Sequence, residues 1–548
     1  MLRDDANGNG LAKKVDALFA EWDKPDSPGC ALAVIKDSKI IYKRGYGMAD
    51  LERNVPITPS SVFDIGSTSK QFSAMCLLLL AKQGKISLDD DIRKYVPEMP
   101  KYDAPITIRH LIHHTSGIRD YLTLLALAGL PFENDYPDDE VIALIARQKE
   151  LNFKPGDEHL YSNSGYFLMS VIVKRASGKS LREYADENIF KPLGMKNTHF
   201  HDDYTMIVKN RAIGYSPAKA GGFRIDMSIF DVVGDGALMT SVEDLFLWDQ
   251  NFYANKLGGG GQELINETLR PGVLNSGKKL EYAVGLTVSD YRGLRMVSHG
   301  GAWAGYRAEM IRFPEQRFSV ICLSNLGTFN PTRMAKKVAD IYLADHLKPE
   351  TGVKAASPAA PARFIALPEA ALKEKTGIFK NRASGAIWNF TLQDGKLMAA
   401  IQGLSFPISP VSETAFHAVG APVDITFTFE KPAGGKPTQI RVVVGDQPPE
   451  VLEPVGASTL TPERLNEYAG QYYSDELDVT YNVFVKDDKL RLKLRHDPEE
   501  PPFEPLDEDA FSVRGVKVKF TRDDQKRVTG FSVQAGRVKN IRFQKRTA

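Results

Sequence analysis

The chain has 548 residues, 43% apolar, 25% charged and 9% aromatic, a globular profile that excludes a disordered or collagen-like protein. Lys and Arg number 70 against 69 Asp and Glu, so a formal charge of +1 supplies no field to hold nucleic acid or an anionic membrane. The expected partner is a small or neutral molecule.

From the N-terminus onward, MLRDDANGNG is polar and carries no secretory signal, although a removed signal would leave the same picture, so a cytoplasmic and a periplasmic location both stay open. Ala31 to Lys36 and Lys39 to Tyr46 flank Asp37-Ser38 and predict a hairpin. Gln71 to Gln83 predicts a buried helix stopped at Gly84. Its apolar run, Ala74 to Ala81, is cut off by Lys82 and Gln83, well short of the roughly 18 residues of a spanning helix, so a soluble chain without membrane insertion is expected. Leu294 to Ser298, Gly305 to Arg312 and Arg317 to Ser324 read as three strands, and Pro331 to His346 as a last helix. Strands at both ends with helices between predict an α+β domain: one antiparallel sheet joining N- and C-terminal strands, with a helical cluster beside it. Cys30, Cys76 and Cys322, far apart in sequence, read as reduced core thiols.

A Pro/Ala-rich segment without apolar periodicity follows, placing a linker at 349–366 after a first domain of 1–348. Beyond it the sequence repeats: Leu372, Gly377 and Phe379 match Leu465, Gly470 and Tyr472, Asp394 and Leu397 match Asp487 and Leu490, and ETAF ending at Phe416 matches EDAF ending at Phe511. Two copies of short strands with tight turns predict two small antiparallel barrels or sandwiches, at 367–457 and 458–548.

Three short elements carry candidate chemistry. Ser67-Thr68-Ser69-Lys70 opens the buried helix, where free backbone N–H groups favour developing negative charge and Lys70, one turn on, reaches the Ser67 hydroxyl. Tyr161-Ser162-Asn163 follows Pro155-Gly156; if extended, it points Tyr161 and Asn163 to one side of a cleft. His299-Gly300-Gly301-Ala302 ends the Leu294 strand, its glycines suited to close approach of an extended substrate along the sheet edge. Similar pairs at Ser276/Lys279 and Tyr253/Asn255 read as a solvated loop and a helix end. His110, His113 and His114, and His199 and His201 with Asp202 and Asp203, lack a metal-binding motif, and no phosphate or dinucleotide loop is present, so no metal and no cofactor is expected.

Together the three elements resemble the serine β-lactamase and penicillin-binding-protein superfamily, in its class C-like branch of esterases, D-stereospecific peptidases and D-aminopeptidases. The order Ser-x-x-Lys, Tyr-x-Asn, then His-Gly-Gly in place of Lys-Thr-Gly carries the likeness, supported by His114-Thr115-Ser116-Gly117, FKPLGM at 190–195 and Gly234-Asp235-Gly236-Ala237-Leu238. The resemblance implies a β-lactamase-like first domain with Ser67 as acyl-accepting nucleophile, Lys70 as its proton partner and Tyr161 as general base. It implies that Asn163 orients Lys70 and the substrate amide, that Ser67 and Ala302 supply oxyanion-hole N–H groups, and that His299, Gly300 and Gly301 line the substrate edge. A mostly neutral His299 standing for a lysine argues against penicillin turnover. The tail resembles the paired lipocalin-like β-barrels of some D-aminopeptidases, and its acidic loop, 496–504, is read as limiting the pocket or meeting a substrate amine through Glu499 and Glu500.

The expected activity is a serine peptidase or amidase on short or linear peptides, D-residues included, working through an acyl-enzyme. An esterase of the same superfamily is the nearest alternative, then a β-lactamase or DD-carboxypeptidase; a non-catalytic ligand-binding protein on a retired hydrolase fold is the contrasting class. Homo-oligomerisation is left open.

Overall fold

The computed structural model describes residues 6–546 apart from 133, 219, 350–363, 383, 403, 420, 422–424, 431–435, 446–447, 457–459 and 495–498. The linker expected at 349–366 thus lies largely outside the described residues. The chain divides into two compact units: Met1–Ile118, Phe132–Ala146 and Phe153–Thr351 form the first, and Arg119–Pro131, Arg147–Asn152 and Gly352–Ala548 the second.

In the first unit β1 (Cys30–Lys36) and β2 (Lys39–Tyr46) form a hairpin around Asp37 and Ser38, whose φ angles of 47° and 64° give the turn that matches the strand twist. β3 (Thr287–Tyr291), β4 (Leu294–Trp303), β5 (Tyr306–Phe313) and β6 (Phe318–Ser324) complete an antiparallel sheet in the order β3-β4-β5-β6-β1-β2. One face packs on α1 (Ala6–Phe19) and α5 (Pro331–Tyr342) through Val15, Phe19, Leu32, Val34, Val320, Met334 and Val338. The other faces the helical cluster that includes α2 (Lys70–Lys82), α3 (Asn163–Ser177) and α4 (Val242–Asn251). Here Arg312 Nε and Ser319 Oγ both donate to Asp249 Oδ1 of α4, at 2.7 and 2.8 Å, so the buried Arg312 charge that faces the helices is paired.

Two expectations change. β4 does not end at Ser298: Gly300 and Gly301 stay in the ladder opposite Glu309 and Ala308, so the glycines remove side chains without breaking the strand. The last helix stops at Tyr342, where Leu343 leaves helical geometry, and not at His346. The cysteines are buried free thiols. Cys30 and Cys322, far apart in sequence, are diagonal neighbours across β1 and β6, whose register pairs Cys30 with Ser324 and Leu32 with Cys322.

The second unit holds two eight-stranded antiparallel assemblies. The first is a closed barrel from Gly377–Asn381 to Glu450–Pro454, its interior filled by Phe379, Trp388, Phe390, Phe416, Phe427 and Phe429. The second runs from Gly470–Ser474 to Val538–Lys545, with an antiparallel bridge between Arg491 and Pro502 drawing its outer strands together. The repeat is visible residue by residue: a short helix precedes each, Gly377 and Gly470 share a φ of 148°, and Phe416 and Phe511 are both fully buried. Within this unit the buried Arg119 pairs with Glu476 at 2.5 Å and donates to Gln148 Oε1 and the Asn540 carbonyl. Among the described residues no helix is long and apolar enough to cross a membrane.

Candidate active site

Ser67 lies in a tight turn, Gly66–Ser69, that leads into α2. The turn is fixed from both ends. Gly66 N–H donates to Asp64 Oδ1 at 2.7 Å, Ile65 N–H to the Leu238 carbonyl at 3.0 Å, and Leu238 N–H to Ser69 Oγ at 3.2 Å. Burial pushes the Asp64 carboxyl up to about 7, opposed by the Gly66 N–H, with the charge of Asp235 adding to the rise. Thr68 and Ser69 are fully buried, whereas Ser67 keeps partial exposure.

Lys70, wholly buried, turns its ammonium back toward Ser67. Nζ donates to Ser67 Oγ at 3.1 Å, to Asn163 Oδ1 at 2.9 Å and to the Asp235 carbonyl at 2.5 Å. These oxygens are acceptors for the ammonium's protons. Nζ also lies 4.8 Å from the centre of the Tyr161 ring and 5.5 Å from that of Tyr166. Ser162 is extended and Asn163 is already the first residue of α3, so the triplet is not extended throughout.

The third element reaches the same place from the sheet. Thr68 Oγ1 donates to the His299 carbonyl at 3.1 Å. A Cβ on Gly301 would stand 1.8 Å from the Ile65 carbonyl oxygen and 3.0 Å from Ser67 N, and one on Gly66 would stand 2.7 Å from Ala302 N. Gly301 and Gly66 therefore answer to the close passage of β4 against the protein's own turn, whereas Gly300 faces Glu309.

Both ring nitrogens of His299 are engaged. Nδ1 donates to the Gly300 carbonyl at 2.6 Å, which leaves Nε2 to accept from the Tyr282 hydroxyl at 3.1 Å. Burial and the Lys70 charge push the ring down to about 4, so it is neutral at ordinary pH.

Tyr282 and His114, to which the sequence assigned no role, complete the cluster. His114, in a left-handed conformation at φ 56°, accepts Leu160 N–H on its carbonyl and Ser162 N–H on Nδ1, at 3.0 and 3.1 Å, so it grips the chain on either side of Tyr161. Its ring lies 4.1 Å from that of Tyr161 and 4.6 Å from that of Tyr282. The position stands in the His-Thr-Ser-Gly stretch, but a left-handed histidine leaves no signature in composition.

The look-alike pairs stay apart: Ser276 and Lys279 sit in an exposed loop, and Asn255 Nδ2 ties to the Leu257 and Gly261 carbonyls beyond α4. Among the described residues no three His, Cys, Asp or Glu side chains are grouped to hold a metal ion. Of the acidic loop 496–504, residues 496–498 lie outside the described residues, while Glu499 pairs with Arg514 and Glu500 with Lys486.

Comparison with known proteins places this geometry in context. The family described as Beta-lactamase matches residues 15–344, and a domain of unknown function (DUF3471) matches residues 455–545. A D-aminopeptidase of Gluconobacter oxydans is 29% identical over 382 residues, which cover 66% of this chain and 70% of that protein. An octameric penicillin-binding protein homologue from Pyrococcus abyssi shares the fold with a TM-score of 0.55 at 22% identity, over 82% of this chain and 100% of that one. D-amino acid amidase from Ochrobactrum anthropi, solved with D-phenylalanine, gives a TM-score of 0.52 at 22% identity, over 62% of this chain and 100% of that chain.

Proposed function

The chain belongs to the beta-lactamase family, and from that premise we propose that it is a serine hydrolase working through an acyl-enzyme, a peptidase or amidase on short or linear peptides, D-residues included. One observation carries the reading: the Lys70 ammonium bridges Ser67 Oγ and Asn163 Oδ1 at 3.1 and 2.9 Å and lies over the Tyr161 ring, joining residues far apart in sequence.

In this reading Ser67 Oγ attacks the carbonyl carbon and yields its proton to Tyr161, whose phenolate form the Lys70 charge favours. The Ser67 and Ala302 N–H groups take the oxyanion, each such donor being worth about 10²–10³ in turnover. The proton then passes to the leaving nitrogen, the C–N bond breaks, and a water repeats the sequence to free the acid. Asn163 orients Lys70 and the substrate amide, while His299, Gly300 and Gly301 form the wall along which the substrate lies. Since His299 is neutral, that wall offers no cation to a substrate carboxylate, which favours amides and peptides over penicillins.

The catalytic domain is read as 1–348, joined by 349–366 to two barrel modules at 367–457 and 458–548. The test is a panel of D- and L-amino-acid amides, short peptides, esters and penicillins, with the acyl adduct sought on Ser67 by mass spectrometry. Ser67→Ala should lose both adduct and turnover; turnover that survives it overturns the reading.

A further inference from the structure

The strand that passes Ser67 has at its back a buried carboxyl that the acyl transfer above leaves unused. Glu309, in β5, is the register partner of Gly300 on one side and of Cys322 on the other. It shares a face with Ile311 and Phe313, in the core under α1 and α5, so His299 and Gly301 project to the opposite face. Glu309 is 3% exposed. Its Oε2 accepts from the Thr332 hydroxyl of α5, while Oε1 is buried and has no hydrogen-bond partner among the described residues. A Cβ on Gly300 would stand 3.0 Å from Oε2, so the glycine leaves room for the carboxyl to lie against β4.

The groups that face this carboxyl are few. Lys336 lies one turn beyond Thr332 on α5, the Cys322 thiol is its neighbour on β6, and His299, on the far side of β4, is neutral at ordinary pH. Burial pushes Glu309 up to about 7, against the pull of the Thr332 hydroxyl, the Lys336 charge and the Met310 N–H. The group thus changes charge within a hydrolase's working range, and its ionised form, with one oxygen unmatched in a low-dielectric place, is costly to hold.

We propose that Glu309 is a positioning residue for the acyl-transfer site: uncharged, it backs the part of β4 that brings the Ala302 amide to Ser67, and ionised, it sets a buried negative charge behind the strand on which the oxyanion forms. The inference rests on the reading of Ser67 as nucleophile. Two negative charges on opposite sides of one strand repel most strongly in the transition state, so the effect falls on kcat more than on KM.

The test uses the full chain with an activated ester across the neutral pH range, with labelling of Ser67 by a fluorophosphonate read separately by mass spectrometry. In the native protein kcat should decline on the alkaline side with a midpoint at about 7, the value at which Glu309 ionises. Glu309→Gln keeps the shape without the charge and should remove that decline. Thr332→Val withdraws a donor from the charged form and should move the midpoint upward, by on the order of one pH unit. Profiles that coincide in all three proteins while Ser67 is labelled in each would overturn the inference and leave the nucleophile standing. No labelling of Ser67 in the native protein would remove both. Should Glu309→Gln fail to fold, the Thr332→Val midpoint decides alone, a shift supporting the inference and a fixed midpoint ending it.

Discussion

Tyr282 and His299 are joined by a 3.1 Å hydrogen bond in which the phenol donates to Nε2, because Nδ1 is committed to the Gly300 carbonyl at 2.6 Å. The bond stabilises only the neutral imidazole, since a protonated ring has no lone pair to accept it. Burial and the Lys70 charge act in the same direction and hold the ring at about 4. Tyr282→Phe should therefore raise the His299 pKa by on the order of one unit, read by NMR titration of the ring. The same variant should improve, at acid pH, the relative rate on substrates that carry a carboxylate beside the scissile bond. An unmoved titration would show that the phenol does not control the ring.

The Tyr161 ring lies under the Lys70 ammonium at 4.8 Å, and His114 holds the chain on both sides of it. Tyr161→Phe keeps the ring and the cation–π contact and removes only the proton carrier, so kcat should fall by about 10²–10⁴ with KM little changed. A raised KM with normal kcat would assign the phenol to binding.

The sheet and its edges were legible because their signals are local: the Asp37-Ser38 turn, the apolar run of α2, and the repeat that marks the two barrels. The site was legible only as three short motifs, since Ser67, Lys70, Tyr161, Asn163 and His299 are each of a common residue type. What escaped was long-range or conformational. The continuation of β4 through two glycines depends on the ladder to β5, which local propensity does not contain. The commitment of both His299 nitrogens depends on Tyr282, a residue that nothing in its own neighbourhood marks. His114 escaped because its role comes from a positive φ of 56° and contacts to residues 160–162.

Gly301 meets the Ser67 turn so closely that an added Cβ would stand 1.8 Å from the Ile65 carbonyl oxygen. No rotamer change relieves a clash with backbone, so either β4 or the turn must shift, and with it the spacing between the Ser67 and Ala302 amides. Gly301→Ala should lower kcat by at least about 10²-fold, the usual effect of losing one oxyanion donor. It should also destabilise the fold by about 1–3 kcal/mol, as overpacking does. Native kcat in this variant would mean that those two amides do not hold the oxyanion.

Arg119 is fully buried and Glu476 is 3% exposed within the second unit, where Lys149 N–H also donates to Glu476 Oε1 at 2.9 Å. Removing one charge of such a pair leaves the other without a partner in the interior. Arg119→Met should destabilise the second unit by about 3–5 kcal/mol, measured by urea unfolding. Replacing both, Arg119→Met with Glu476→Leu, should recover part of that loss. A single variant as stable as the native chain would show that water reaches the pair.

Stability should respond to pH through two opposing sets of buried groups. Burial pushes His113, His201 and His299 each down to about 4 from 6.5, so between these values the unfolded chain holds more protons. Their contribution is whole above 6.5 and is lost as pH falls toward 4. Asp64 and Glu309, pushed up to about 7 from 3.8 and 4.5, act in reverse. The folded chain holds their protons longer, so their contribution is whole in acid and is lost as pH rises to about 7. Glu309→Gln removes one of the opposing pair. Relative to the native chain it should therefore gain stability steadily from about pH 4.5 to about 7, and by a constant amount above that. Urea midpoints at a series of pH values measure this, and a gap independent of pH would mean that the carboxyl is already ionised in the folded protein throughout the range.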